Sequence, residues 1–132
     1  MIVGLGTDIV EIQRIADAVE RWGDHFLSRI FTPAERAYCM ERNRNPYPHL
    51  AARFAAKEAV IKALTPLRAS GDSVLNLTDI EITNDVSGLP RIRVSGPFQD
   101  ILAGHELHVS MSHEKQYATA TVVLARNPCQ AV

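Results

Sequence analysis

Residues 52–64, ARFAAKEAVIKAL, are the segment around which the rest of the chain must be arranged. Their Ala and Leu content and their spacing predict a long helix from about Leu50 to Leu64. Arg53 and Lys57 share one side of it, where solvent is expected. Glu58 does not join them. It lies four residues after Phe54, three after Ala55 and three before Ile61, on or at the border of an apolar stripe. A carboxylate there needs a partner.

The remaining segments supply a sheet for that helix to cover. The run from Met1 to Val10 is rich in Ile, Val and Gly and predicts a buried strand that ends near Asp8. Ile12, Ile15, Ala16, Val19 and Phe26 then recur at helical spacing, with Arg14, Asp17, Glu20 and Arg21 elsewhere, which predicts an amphipathic helix. In FTPAER, Thr32 can cap, Pro33 suits the first helical position and Glu35 completes a capping box. NRNPYPH (43–49) breaks that second helix, and TPLRASGDS (65–73) is a loop. LTDIEIT and PRIRVS predict strands joined across NDVSGL. GPFQDILAGHE predicts a short helix with Pro97 near its start and Gly104 at its end. LHVSMSH and YATATVVLA predict two final strands around EKQ. The expected architecture is α+β, a mostly antiparallel sheet packed by the long helix and the N-terminal helix.

Residues 1–132 are expected to form one domain, large enough to bury a core without covalent staples. With 22% charged residues and a net charge of −1, bulk charge does not favour nucleic acid or membrane surfaces. The first dozen residues lack a basic leader and a cleavage site, and no apolar run nears the ~20 residues of a membrane helix. Cys39 and Cys129 show no CxxC spacing. A reducing, cytoplasmic setting is the expectation.

Four local features carry chemistry. Asp8, at the end of an apolar strand, reads either as a ligand for a hard cation or as a helix cap. Glu58 reads either as a second ligand or as half of an i,i+4 pair with Lys62, worth about 0.3–0.5 kcal/mol. Arg53, Lys57 and Lys62, with Arg42 and Arg44 upstream, form either a solvated face or a phosphate cradle. In HVSMSHEK, strand alternation puts His108, Ser110 and Ser112 on one face, with His113 at the strand's end. A Ser/His hydrolase would need the Gly-x-Ser-x-Gly elbow, which is absent.

Together, GLGTDIVEIQRI, FTPAE, LAARFAAKEAVIKAL and HVSMSHEKQYATATVVL resemble the holo-acyl-carrier-protein synthases, the small bacterial 4′-phosphopantetheinyl transferases. The likeness spans the chain in the family's order, and the pairing of GxGxD with KExxxK is its most specific part. The resemblance implies that Asp8 and Glu58 hold Mg²⁺ against the pyrophosphate of coenzyme A. A serine of apo-acyl carrier protein would attack the β-phosphate and 3′,5′-ADP would leave, in support of fatty acid biosynthesis. Lys62 would assist departure, and Glu58 acting through a water would take the serine proton, with Lys62 as the alternative. Arg53 would hold the 3′-phosphate, and His108 and His113 would contribute to coenzyme A binding. Arg14 and Arg21 on the first helix would meet the acidic carrier protein. A homotrimer with sites between chains is implied as well.

One departure stands out. Where the family has a glycine-rich turn after the long helix, this chain reads LTPLRASGD, with Gly71 as its one glycine, so no ligand contact is assigned there. The competing reading is a non-catalytic paralogue that binds carrier protein or nucleotide. A decayed enzyme would have little reason to keep Asp8, Glu58 and Lys62 together.

Overall fold

The computed structural model describes residues 1–41, 43–69 and 74–128; Arg42, Gly71 and Cys129 fall outside them. Nine helices and strands follow in order among the described residues. They are β1 (Ile2–Glu11), α1 (Ile12–Trp22), α2 (Asp24–Ile30), α3 (Pro33–Glu41), α4 (Tyr47–Ala63), β2 (Ile80–Asn84), β3 (Pro90–Val94), β4 (His105–His113) and β5 (Tyr117–Arg126). An antiparallel sheet of order β1-β5-β4 lies against α4, and β2-β3 forms a separate antiparallel hairpin. The α+β architecture with a long central helix is as the sequence predicts. No helix among the described residues is long and apolar enough to cross a membrane.

The inner face of the sheet explains the small residues of the first strand. Gly4, Gly6, Asp8 and Val10 alternate toward α4, as the pleat requires. A methyl group on Gly4 would collide with the carbonyl oxygen of Ala63, and one on Gly6 with that of Ala59. Strand and helix therefore meet backbone to backbone, and the GxG motif is a packing device. Two residues beyond the second glycine, the same face of the strand carries the half-buried side chain of Asp8.

Several elements differ from expectation. The first strand does not end near Asp8 but continues to Glu11, with Asp8 paired opposite Ala120. The cap reading of Asp8 therefore fails, because α1 starts only at Ile12 and Glu11 holds the N-cap position. The expected single N-terminal helix is two, since Gly23, at φ 55°, turns the chain between α1 and α2. The long helix begins at Tyr47, inside the segment expected to break the chain, because Pro48 suits a first turn. The helix expected over GPFQDILAGHE shrinks to one 3₁₀ turn, Gly96–Phe98, followed by turns to Gly104 at φ 78°.

The largest correction concerns the faces of α4. Arg53 and Lys57 are buried, whereas Phe54, Glu58 and Ile61 are only partly covered and Lys62 is exposed. Ala surrounds nearly the whole circumference of this helix, so it sits inside the protein, and the basic residues need internal partners. Lys57 Nζ donates to Glu35 Oε1, to Ile30 O at 2.6 Å and to Leu77 O at 3.0 Å. Glu35 also accepts from Thr32 N at 2.9 Å, closing the expected capping box, and from Ile82 N at 2.8 Å. This hub ties α2, α3, α4 and β2 together. Burial pushes the Lys57 ammonium down in pKa, and the Glu35 carboxylate opposes that shift. Lys57 is thus no part of a phosphate cradle.

Candidate active site

Asp8 and Glu58 meet where β1 crosses α4. Both line a concavity of about 340 Å³ together with Arg14 of α1, Phe26 of α2 and Phe54 of α4. Lys62 stands beside them. Its ammonium donates to Thr7 O at 2.9 Å and to Asp8 Oδ1 at 3.2 Å, and so links helix to strand instead of closing an i,i+4 pair with Glu58. The Asp8 side chain is 20% exposed. Burial, and after it the Asp8 carboxylate, push the pKa of Glu58 up, with Lys62 acting against them. Two mutually repelling carboxylates with oxygen donors alone fit a hard divalent cation that completes its shell with substrate oxygens and water. No cluster of three or more His, Cys, Asp or Glu that could hold a metal occurs among the described residues, so these two acids would act with substrate and not as a closed protein cage.

Arg53 belongs to a second concavity, of about 320 Å³, shared with Tyr38, His49, Asn84 and His113. Its guanidinium donates to Asn84 Oδ1 at 2.6 Å and lies 4.3 Å from the ring centroid of Tyr38. His108 points the other way. It sits on the outer face of β4, exposed, with Nε2 3.4 Å from Glu106 Oε1. Within one chain, therefore, Asp8, Glu58, Lys62 and Arg14 come together, Arg53 and His113 form a separate group, and His108 joins neither. Arg21, in the last turn of α1, packs its guanidinium 4.9 Å from the Trp22 ring centroid.

Among the described residues, no helix covers the outer face of the three-stranded sheet. Leu5 and Ile9 are 64% and 62% exposed there, beside Val123 and Thr119 of β5. Cys39 is a buried free thiol, which burial pushes up to about 11 and leaves unreactive at neutral pH.

Sequence reasoning missed Glu35 as more than a cap, and it missed His49, Tyr38 and Asn84 around Arg53. The signal for Glu35 was present, since a basic residue inside a helix apolar on all sides requires a buried acid. No spacing rule connects Asn84 or Tyr38 to Arg53.

A model of the 4′-phosphopantetheinyl transferase superfamily matches residues 4–122, and the chain belongs to that family. Among its relatives, the holo-[acyl-carrier-protein] synthase of Protochlamydia amoebophila is 45% identical over 123 residues, covering 93% of this chain and 98% of the relative. The holo-[acyl-carrier-protein] synthase of Helicobacter pylori, solved in complex with coenzyme A, superposes with a TM-score of 0.78 at 33% identity over 92% of this chain and 99% of that one. The Bacillus anthracis synthase, solved with coenzyme A (3′,5′-ADP), gives 0.76 at 37% identity over 96% and 99%.

Proposed function

We propose that the chain is one transferase domain that moves the 4′-phosphopantetheine arm of coenzyme A to a serine of apo-acyl carrier protein, in support of fatty acid biosynthesis. The observation that carries this reading is the meeting of Asp8 and Glu58 at one open concavity, with Lys62 hydrogen-bonded to Asp8. Asp8 and Glu58 would hold Mg²⁺. Bound there with the pyrophosphate, the ion would supply charge neutralisation as the bond to the leaving phosphate breaks.

The chain's own groups account for the rest. The serine hydroxyl oxygen forms a bond to the β-phosphorus, the bond from that phosphorus to the bridging oxygen breaks, and 3′,5′-ADP departs. Glu58, acting through a water, would receive the serine proton. The Lys62 ammonium can turn from Thr7 O and Asp8 toward the phosphates and meet the charge that grows on the leaving group. Arg53 would bind the 3′-phosphate. Arg14, at the rim of the concavity, would orient the acidic carrier protein, and Arg21 would extend that surface.

The assembly we infer is a homotrimer. The uncovered Leu5 and Ile9 support burial of the outer sheet face against another copy, and His108 on that face would serve a neighbour's site. Sedimentation equilibrium should give three chains per particle, and a monomer would overturn this part. For the reaction itself, incubation with apo-acyl carrier protein, coenzyme A and Mg²⁺ should release one 3′,5′-ADP per carrier modified. A carrier protein lacking its acceptor serine should release none.

A further inference from the structure

The concavity around Arg53 holds more cationic potential than one guanidinium. His49, in the first turn of α4, and His113, the last residue of β4, place their rings edge to face with centroids 5.5 Å apart. Arg53, one turn after His49, is 3% exposed, and its Nε is buried with no hydrogen-bond partner. A buried guanidinium N–H without a partner leaves part of the hydrogen-bonding capacity of Arg53 unused beside the concavity that the residue lines. Three groups able to carry positive charge therefore converge on one space, and no carboxylate among the described residues lines it.

Among the described residues, the titratable and hydrogen-bonding side chains lining the concavity with His49 come from four elements. Arg53 comes from its own helix, His113 from β4, Tyr38 from α3, and the hairpin supplies the neutral Asn84. Burial lowers the pKa of His49, and His113 and then Arg53 add to that by repulsion. The ring is consequently neutral at pH 7. A phosphate monoester dianion would reverse the balance by offering charge and acceptor oxygens to all three groups. Its arrival would draw a proton onto the imidazole.

We propose that His49 is a specificity-determining residue that couples recognition of a phosphate monoester to proton uptake, so that with Arg53 and His113 it discriminates the 3′-phosphorylated nucleotide end of coenzyme A from its dephosphorylated form. This rests on the reading of Arg53 as the 3′-phosphate ligand. The phosphate brings its own titration, which is the same for every variant of the protein. The contribution of His49 is therefore the ratio of wild-type to His49→Asn affinity, followed across pH.

The experiment is calorimetric binding of 3′,5′-ADP and of 5′-AMP to the full chain, wild type and His49→Asn, at pH 6 and pH 8. For 3′,5′-ADP the ratio should fall from about tenfold at pH 6 to near one at pH 8, the size expected for one charge-assisted hydrogen bond. For 5′-AMP it should stay near one at both. A ratio for 3′,5′-ADP that does not change with pH would overturn the role of His49. If wild type bound 5′-AMP as tightly as 3′,5′-ADP, and Arg53→Met changed neither, the Arg53 reading itself would fail first.

Discussion

Gly6 of the first strand lies directly beneath the carbonyl oxygen of Ala59, so close that no side chain fits between strand and helix. That contact sets how near α4 comes to β1, and hence where Glu58 and Lys62 stand relative to Asp8. Overpacking at such a site typically costs about 1–3 kcal/mol. Gly6→Ala should lower the melting temperature and also cut transfer activity at temperatures where the variant is still folded. Full activity in a destabilised Gly6→Ala protein would show that the carboxylates do not depend on this spacing.

The buried Lys57–Glu35 pair makes a second demand. Removing one partner leaves an uncompensated charge in the interior, at a cost of about 3–5 kcal/mol. Lys57→Met alone should therefore be more destabilising, by urea denaturation, than the double variant Lys57→Met with Glu35→Leu. If the double variant were the less stable of the two, the hub would be contributing more than mutual charge compensation.

Glu58 carries a pH signature. Its pKa in the folded protein is raised above the unfolded value by burial and by Asp8. A raised carboxyl contributes stability below its unfolded pKa and loses it as pH rises through the folded value. Without metal, ionised Glu58 thus weakens the fold at neutral pH. Glu58→Gln should melt higher than wild type at pH 7 in EDTA and equal to it near pH 4, while transfer is lost. Added Mg²⁺ should raise the melting temperature of wild type more than that of the variant.

Arg14 stands at the mouth of the carboxylate concavity. Reversing its charge should act on the acidic partner and not on the nucleotide. Arg14→Glu is expected to raise the KM for carrier protein about tenfold or more, with little change in the KM for coenzyme A. Equal loss toward both substrates would remove the docking role.

How far the sequence could be read is clear from α4. Its existence and its C-terminal end near Leu64 followed from spacing alone, whereas its start at Tyr47 did not. Its inside and outside did not, because Ala permits burial on every side and the bases Arg53 and Lys57 looked like solvent markers. The positions of Glu35 and Asn84, brought in from other elements, show that these two side chains point inward. The GxG motif was legible as a signature, but its physical cause needed the helix in place above it. The end of the first strand, expected near Asp8, lies three residues on at Glu11, because a strand feeding directly into a helix at Ile12 leaves no turn signal to mark the boundary.

The most direct test is an intact mass spectrum of apo-acyl carrier protein after incubation with coenzyme A, Mg²⁺ and either the wild-type protein or its Asp8→Asn or Glu58→Gln variant. Wild type should add the mass of one phosphopantetheine arm, and neither variant should, although both remain folded by circular dichroism. Unmodified carrier with wild type, or full modification by either variant, would contradict a transferase built on these two carboxylates.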